Sequence, residues 1–370
     1  MQQPTFLRPI PEIAESIYLP IFVEMPSSAE PISLFAGSKL IPSEVNSSGA
    51  TTRLTAVVDV SQAAPSTGGQ VEIVLERGGK QLFSSNVQIP SKLATHAHQV
   101  ASSRGNRQAF VQSRLACPSC GNRLVSKECL NCGARFMHDT RAVNAVPDGT
   151  YRIPEAIDTS LCVFDSIEIG AIEQAASSGG MVLNFGAGIP SHAYNNVINL
   201  EIADMPCTDV VSVSDRIPFV DNTFDVVIAL HVLEHVRRPW ITAQEFQRVL
   251  KPGGIAVVTV PYVCQVHGFP HHYFNPTPQG LKSLFDGMQI VSHTLKGDAH
   301  PINSVQQILG CYYSILPPNA RTEFAGITVG SLLSTPLAEA VGKSWAQAAE
   351  EQGRWLIPAH TTLSVRKNIP

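Results

Sequence analysis

Five short runs of apolar, mostly β-branched residues lie within residues 181–261. The runs are MVLNFG, NVINLEI, DVVSV, FDVVIAL and IAVVTVP. Runs of this length and composition are typical of strands that are buried on both faces of a parallel sheet. Helix-like segments precede the first run (IEIGAIEQAAS) and the last (ITAQEFQRVL, which ends at LKPGG). This alternation predicts a doubly wound α/β domain.

A glycine pair follows the first of these strands, and an acidic residue ends the second. Gly186 and Gly188 lack a Cβ, so the backbone can approach a ligand and its N–H groups can meet a carboxylate. Glu201 can accept hydrogen bonds from both hydroxyls of a ribose. The third strand ends near Asp215, where an adenine edge would lie, and the fourth runs into His231. The order predicts a nucleotide-cofactor pocket at the carboxyl ends of the strands.

Four of the eight cysteines form two CxxC pairs, in CPSCGNRLVSKECLNCG. Each pair can place two thiolates on one turn, so the spacing predicts a zinc ribbon whose four ligands are Cys117, Cys120, Cys129 and Cys132. The site is expected to be structural, because no ligand position remains open. The doubled spacing disfavours a redox dithiol or two unrelated pairs. Residues 101–141 carry seven basic and two acidic side chains, which could attract RNA, although such charge is more often a solvated face.

The part of the chain before the cysteines reads as β structure. The runs SIYLPIFVE, TRLTAVVDV, QVEIVLE and KQLFSSNVQI are separated by clusters of Pro, Gly and Ser. This spacing predicts a small β-sandwich or barrel. The polar segment ATHAHQVASSRGNRQ that follows predicts a linker.

IPFVDNTFDVVIALHVLEHV and RVLKPGG resemble the type 11 methyltransferase family, a class I group that uses S-adenosylmethionine (SAM). The resemblance covers residues 180–295. It implies a Rossmann-like, seven-stranded sheet and transfer of a methyl group to an oxygen or nitrogen of an acceptor, whether a saccharide, a small molecule or RNA. It also implies cofactor contacts from the glycine turn and the ends of three further strands: Asn184, Phe185, Gly186, Ala187, Gly188, Glu201, Ile202, Asp215, Leu230 and His231.

Several positions depart from the family pattern. Asn184 stands where an acid usually precedes the glycines, and Pro190 lies near the place of a third glycine. Only IPSHAYN separates Gly188 from the second strand, too few residues for a helix of about 10 or more. A second interpretation is therefore a non-catalytic zinc-ribbon binding or scaffold protein with a degenerate methyltransferase fold. A third, a nicotinamide-dependent dehydrogenase, is disfavoured by LEHV, by LKPGG and by the missing third glycine.

Histidines follow the fourth and fifth strands, in HVLEH and VHGFPHHYF. Methyl transfer needs an in-line approach and a deprotonated nucleophile, and histidine is the natural base near neutral pH. His235 and His272 are therefore candidate catalytic bases, with a purely structural role as the alternative. Small-RNA 2′-O-methyltransferases carry ExxEH and DHxFEW-like elements of similar shape. That similarity implies a further hypothesis, a divalent-metal site built from His231, Glu234, His235 and His272.

The 370-residue chain carries a net charge of −4 and 44% hydrophobic residues, which excludes a basic protein and allows a sizeable core. No apolar run approaches the ~18 residues of a membrane span. We expect a cytoplasmic protein without a signal peptide or membrane partner.

The expected domains are a β-rich sandwich-like domain (1–112), a zinc ribbon (113–148) and a SAM-dependent methyltransferase domain (149–370). A helical insertion over 298–358 could cap the pocket, and MQIVSHTLKG and TTLSVRK are expected as the final antiparallel strands. The acceptor, the oligomeric state and the tightness of SAM binding stay open.

Overall fold

The computed structural model describes residues 4–136, 141–147, 161–213, 215–268, 271–296, 299–349, 351–354 and 356–357. The chain divides into two compact units, Met1–Val260 and Pro261–Pro370. The first contains a β-rich region, the cysteine cluster and a parallel sheet, and the regular structure described in the second is helical. The domain boundaries at 112 and 148 stay a prediction.

The β-rich region consists of two antiparallel sheets of four strands. Its strands are β1 (Thr5–Phe6), β2 (Tyr18–Pro26), β3 (Ile32–Ala36), β4 (Lys39–Ile41), β5 (Ser43–Ser48), β6 (Thr51–Asp59), β7 (Gly69–Arg77) and β8 (Lys80–Ile89), with the short helix α1 (Val60–Ala63) after β6. Their order is β1-β2-β6-β5 in one sheet and β4-β3-β7-β8 in the other. Inward-facing side chains such as Leu54 and Ile73 are fully buried. The β-rich region predicted from the alternating runs is thus confirmed.

The predicted linker is helical. It forms α2 (Ser91–Ser102) and α3 (Arg104–Arg114), and buries Ala97 and Val100 on α2 and Val111 on α3. The linker prediction is wrong because the apolar residues that these helices bury are few and mostly small, and polar residues separate them in the sequence. Several of the polar residues bond to neighbouring elements, such as His96 to the Ala193 carbonyl and Arg107 to Asp209.

The parallel sheet has six strands in the described part of the chain. Strands of this region are β9 (Val143–Asn144), β10 (Leu161–Cys162), β11 (Val182–Phe185), β12 (Ile189–Pro190), β13 (Val197–Glu201), β14 (Val210–Val211), β15 (Phe224–Leu230) and β16 (Leu250–Thr259). The sheet order is β16-β15-β11-β13-β14-β9, with every neighbouring pair parallel, and β10 pairs with β12 separately. The five apolar runs are β11, β13, β14, β15 and β16, which confirms the parallel α/β fold.

Two helices pack beside this sheet as the sequence predicts. They are α4 (Ser166–Ser177) and α5 (Pro239–Val249). A capping box formed by Asp165 and Glu168 fixes the start of α4. Phe246 of α5 and Phe224 of β15 are fully buried, and burial of each side chain stabilises the fold by about 2–3 kcal/mol.

The expectation of seven strands is not met by the described residues. The segment MQIVSHTLKG has no regular structure over 288–296, and Val291 and Leu295 are about four-fifths exposed (80% and 81%). A strand prediction there is wrong, because among the described residues no neighbouring strand supplies the hydrogen bonds and apolar cover that a sheet requires. The segment TTLSVRK lies outside the described residues. The strand β9 was not foreseen, because two residues are too few to show a period.

The second unit contains α6 (Pro278–Ser283), α7 (Pro301–Ser314), α8 (Pro318–Ala325), α9 (Val329–Ser334), α10 (Leu337–Gly342), α11 (Ser344–Gln347) and α12 (Glu351–Arg354). Three aromatic rings form its centre, with centroid separations of 5.0 Å (Tyr312–Phe324), 5.2 Å (Phe324–Trp345) and 6.0 Å (Tyr312–Trp345). The predicted helices within 298–358 are present, and their role as a cap stays a prediction. Among the helices described, none has the length and apolar character needed to cross a bilayer.

Candidate functional site

The glycine turn leaves the carboxyl end of β11 beside the end of β13. Gly186 has a φ of +66°, a conformation that favours glycine. A Cβ at this position would lie 2.5 Å from Cγ2 of Val232, so the Val232 side chain occupies the space above the turn. The N–H groups of Gly186 and Ala187 both donate to the carbonyl oxygen of Leu200, at 2.9 and 3.0 Å. In this arrangement the turn is bonded to β13, and its predicted contact with a ligand carboxylate stays a prediction.

Glu201, the last residue of β13, faces the turn directly. Its Oε2 accepts a hydrogen bond from the Gly188 N–H and its Oε1 from the Ile202 N–H, both at 2.7 Å. Burial raises the pKa of the Glu201 carboxyl, and the two N–H donors act in the opposite direction. The turn and the carboxylate therefore lie at one edge of the sheet, as the sequence predicts. They contact each other, however, instead of flanking an open space.

The other residues predicted on β11 and β15 contribute to packing. Asn184 is buried, and its Nδ2 donates to Asn199 Oδ1 at 3.1 Å, while its own Oδ1 has no hydrogen-bond partner within the described residues. The ring of Phe185 lies edge-on to that of Phe246, with centroids 5.1 Å apart. Leu230 packs against the cluster between α4 and the sheet. Their predicted contact with a cofactor stays a prediction.

The segment after β15 holds a buried carboxyl group. His231 has a φ of +55°, uncommon for a residue other than glycine, and its N–H donates to the Thr259 carbonyl at 2.8 Å. Glu234, in a 3₁₀ helix (Leu233–His235), is fully buried, and neither carboxylate oxygen has a hydrogen-bond partner among the residues described. Burial raises its pKa from 4.5 to about 7. A buried carboxyl that titrates near neutrality is a candidate for proton transfer.

The two predicted bases have different surroundings. His235 Nε2 lies 3.8 Å from Glu234 Oε1, beyond hydrogen-bonding distance. His272, in the second unit, accepts the His267 N–H on Nδ1 at 3.1 Å, and its Nε2 lies 2.7 Å from Asn275 Oδ1. These two bonds require the proton on Nε2, and burial lowers the pKa of the ring. Both catalytic assignments, and the hypothesis of a metal between HVLEH and HHYF, stay predictions.

The predicted adenine-side residue Asp215 forms an ion pair with Arg238. The Asp215 side chain is 34% exposed, and the partner guanidinium neutralises its charge. Any contact of Asp215 with a base therefore stays a prediction.

The four predicted metal ligands converge. Their sulfur atoms all lie within 4.8 Å of one another, in the set Cys117, Cys120, Cys129 and Cys132. The Cys117–Cys132 and Cys120–Cys129 sulfur pairs are 3.7 and 3.5 Å apart, close to the ~3.7 Å expected for tetrahedral thiolates around zinc at ~2.3 Å. The turns that hold the two CxxC pairs have the same hydrogen bond. The Gly121 N–H donates to the Cys117 carbonyl at 2.7 Å, and the Gly133 N–H donates to the Cys129 carbonyl at 2.8 Å. The cluster is consistent with a zinc ribbon.

Sequence reasoning missed a buried polar chain that runs from α3 to β11. Arg107 Nε lies 3.3 Å from Asp209 Oδ1, and both side chains are buried. Asp209 Oδ2 accepts the Asn199 N–H at 3.0 Å, and Asn199 in turn accepts the Asn184 amide. Arg107 lies in a polar helix and Asp209 before a short strand, 102 residues apart. No local sequence pattern links them, so only the folded structure shows the pair.

Residues 192–258 match the family model described as a methyltransferase domain. An uncharacterised methyltransferase of Mycobacterium tuberculosis (strain H37Rv) is 32% identical over 85 residues, which are 23% of this chain and 31% of that protein. One from Mycobacterium marinum shares the same identity, length and coverage. The chain thus spans 31% of the length of these curated relatives.

A solved complex of the Haloferax volcanii Trm112 methyltransferase activator with a methyltransferase contains a similar chain. The similarity covers 35% of this chain and 77% of that chain, at 16% identity and a TM-score of 0.23, too low to support a structural argument. The family match runs from the loop after Gly188 to the last residues of β16, and so covers β13, β14, β15 and most of β16, while β11 and the glycine turn lie before it. Over residues 192–258, the chain is therefore similar to the methyltransferase-domain family.

Proposed function

We propose that this protein transfers a methyl group from SAM to an oxygen or nitrogen of an acceptor. The observation that supports the proposal most is the meeting of the glycine turn after β11 with Glu201 at the end of β13. In the sheet order, β11 lies between β13 and β15, so the strand order reverses beside β11, between β11 and β15. Ligands of open α/β sheets bind at such a switch point, outside the carboxyl ends of the strands.

The residue types fit an adenosyl ligand if two existing contacts change. These are the hydrogen bond between Gly188 and Glu201 and the packing of Val232 on Gly186. Each oxygen of the Glu201 carboxylate accepts one N–H, so lone pairs remain for the two ribose hydroxyls. Replacing the Gly188 N–H by a hydroxyl exchanges one hydrogen bond for another. Val232 must leave the space above Gly186, because its methyl groups already contact the turn. When bound, SAM supplies the electrophilic methyl group, and the chain positions it.

On the acceptor side, the group that we assign to proton removal is Glu234, with His235 as the neighbouring candidate. A base is most effective when its pKa lies near the working pH, and the pKa of Glu234 is about 7. Val232 and Glu234 lie in the same short segment after β15. A movement that uncovers the glycine turn therefore also moves this carboxyl group.

We propose that the four converged cysteines hold one Zn²⁺ with a structural role. Four thiolates fill a tetrahedral shell and leave no place for a substrate. The Asn122 N–H, bonded to the Cys120 sulfur, lowers the pKa of that thiol from 9.0 to about 6. At Cys120 this favours the thiolate form that binds metal, whereas the pKa of the Cys117 and Cys132 thiols is raised in the absence of metal.

A specific observation favours a second candidate, a non-catalytic module with a degenerate methyltransferase fold. The N–H groups of Gly186, Ala187 and Gly188 all donate within the chain, and a valine side chain covers the turn. In a protein that no longer binds SAM, these N–H groups and Val232 would keep their internal contacts permanently. The zinc ribbon and the β-rich region would then serve to recruit a partner.

Calorimetric titration with S-adenosylhomocysteine separates the two candidates. We expect the wild type to bind, and Glu201→Gln to bind about 10- to 100-fold more weakly, because hydrogen bonds to a charged group contribute ~1.5–3 kcal/mol. Glu173→Gln, on the exposed side of α4, is the matched control and should bind like the wild type. Absence of binding at millimolar ligand would overturn the proposal and favour the second candidate.

A further inference from the structure

The loop between the glycine turn and β13 has no helix of its own. It contains only the two residues of β12 and turns, over 189–196. A helix from an earlier part of the chain bonds to it instead. His96 of α2 donates from Nε2 to the carbonyl of Ala193 at 2.9 Å, and Ser103 donates to the side chain of Asn195 at 2.8 Å.

The loop that follows Glu201 is also bonded to a helix from an earlier part of the chain. Arg104, the first residue of α3, donates to the carbonyls of Pro206 and Thr208, at 3.1 and 3.2 Å. One turn further along α3, Arg107 pairs with Asp209. The loop before β13 and the loop after it are therefore both bonded to the α2–α3 pair.

The β-rich region completes the support. Tyr18 of β2 is buried, and burial, with the nearby Cys207 thiol as the next cause, raises the pKa of its hydroxyl. The thiol of Cys207 donates to the Gly188 carbonyl at 3.5 Å. His98 of α2 donates to the Ala64 carbonyl at 2.9 Å, which fixes the helix to the β-rich region.

Fixing the residues of an irregular loop costs conformational entropy, so a loop without regular structure needs external anchors to hold a binding geometry. Resting on the proposed function, we propose that α2, α3 and the β-rich region are part of the SAM site. They position the glycine turn and Glu201, and replace the helix that the short loop cannot form. His96 and Arg104 are then positioning residues for the cofactor.

Two histidines on the same helix give a matched test in the full-length chain. His96 and His98 each donate from Nε2 to a backbone carbonyl at 2.9 Å, one on the loop and the other in the β-rich region. Both are half-buried, so alanine at either position removes a similar bond. S-adenosylhomocysteine affinity by calorimetry and hydrogen exchange of the amides over 188–196 are measured for both variants.

We expect His96→Ala to weaken ligand binding about fivefold, the loss that corresponds to one hydrogen bond of ~1 kcal/mol, and to accelerate exchange in the loop. His96→Gln keeps an N–H donor and should restore most of the affinity. His98→Ala, whose bond reaches the β-rich region and not the loop, should change both readouts less than His96→Ala does. Equal affinity and exchange in the two alanine variants, with a wild type that binds, would overturn this inference alone. A wild type that does not bind would overturn it together with the proposed function.

Discussion

Glu234 gives a quantitative test of how the segment after β15 is packed. Its carboxyl group is fully buried without a hydrogen-bond partner among the described residues, and burial raises its pKa from 4.5 to about 7. An unfolded chain releases this proton near pH 4.5, whereas the folded protein keeps it until about pH 7. Raising the pH through this window therefore favours the unfolded state. The sign is opposite to that of a carboxylate stabilised by an ion pair.

The magnitude follows from the shift of about 2.5 units, which corresponds to ~3 kcal/mol at ~1.36 kcal/mol per unit. Glu234→Gln keeps the size of the side chain and removes its titration. The free energy of unfolding of the variant, relative to the wild type, should rise by about 2–3 kcal/mol between pH 5 and pH 8. For Glu173→Gln, at an exposed position of α4, the same difference should not depend on pH.

Urea unfolding followed by circular dichroism, repeated at one-unit steps from pH 5 to pH 8, measures these differences. Other buried carboxyl groups titrate in both proteins, so their contributions cancel when the variant is compared with the wild type. A wild-type-to-variant difference that stays constant over this range would refute the argument. It would mean that the folded protein supplies Glu234 with a partner or with water.

Three further changes test the packing and the metal. Gly186→Ala should destabilise the fold by about 1–3 kcal/mol in thermal unfolding, because the residue has positive φ and its Cβ would meet Val232. Adding Val232→Ala should recover part of this stability. An unchanged stability of the single variant would contradict the packing. Arg107→Met should cost about 3–5 kcal/mol by leaving Asp209 buried without its cation, and Asp209→Asn should relieve it; an unchanged Arg107→Met variant would disprove the buried pair. Cys132→Ser should lower bound zinc from one equivalent per chain by elemental analysis, and full retention would exclude a four-thiolate site.

The parallel sheet could be predicted because its strands carry their burial in the sequence. Val226, Val227 and Ile228 of β15 are buried on both faces of the sheet, and a continuous apolar run is what such burial requires. The cysteine cluster could be predicted for a similar reason, because the spacing of CxxC pairs is itself the geometry of the site. In both cases the signal is local.

The parts that sequence reasoning missed depend on contacts between distant residues. The polarity of α2 and α3 predicted a linker, and only the presence of Asp209 and of the loop carbonyls turns His96 and Arg107 into packed residues. The direct bond between Glu201 and Gly188 was likewise not foreseen. The family pattern indicated that both belong to one pocket, but not that they would bond to each other.

The central claim is that the glycine turn and Glu201 together bind the adenosyl ligand. A crystal structure of the wild type with S-adenosylhomocysteine at several millimolar tests it most directly. We predict ligand at the carboxyl ends of β11 and β13, with the Glu201 carboxylate bonded to the ribose hydroxyls and Val232 displaced from Gly186. Glu201 still bonded to the Gly188 N–H, Val232 in place and ligand elsewhere or missing would contradict the claim.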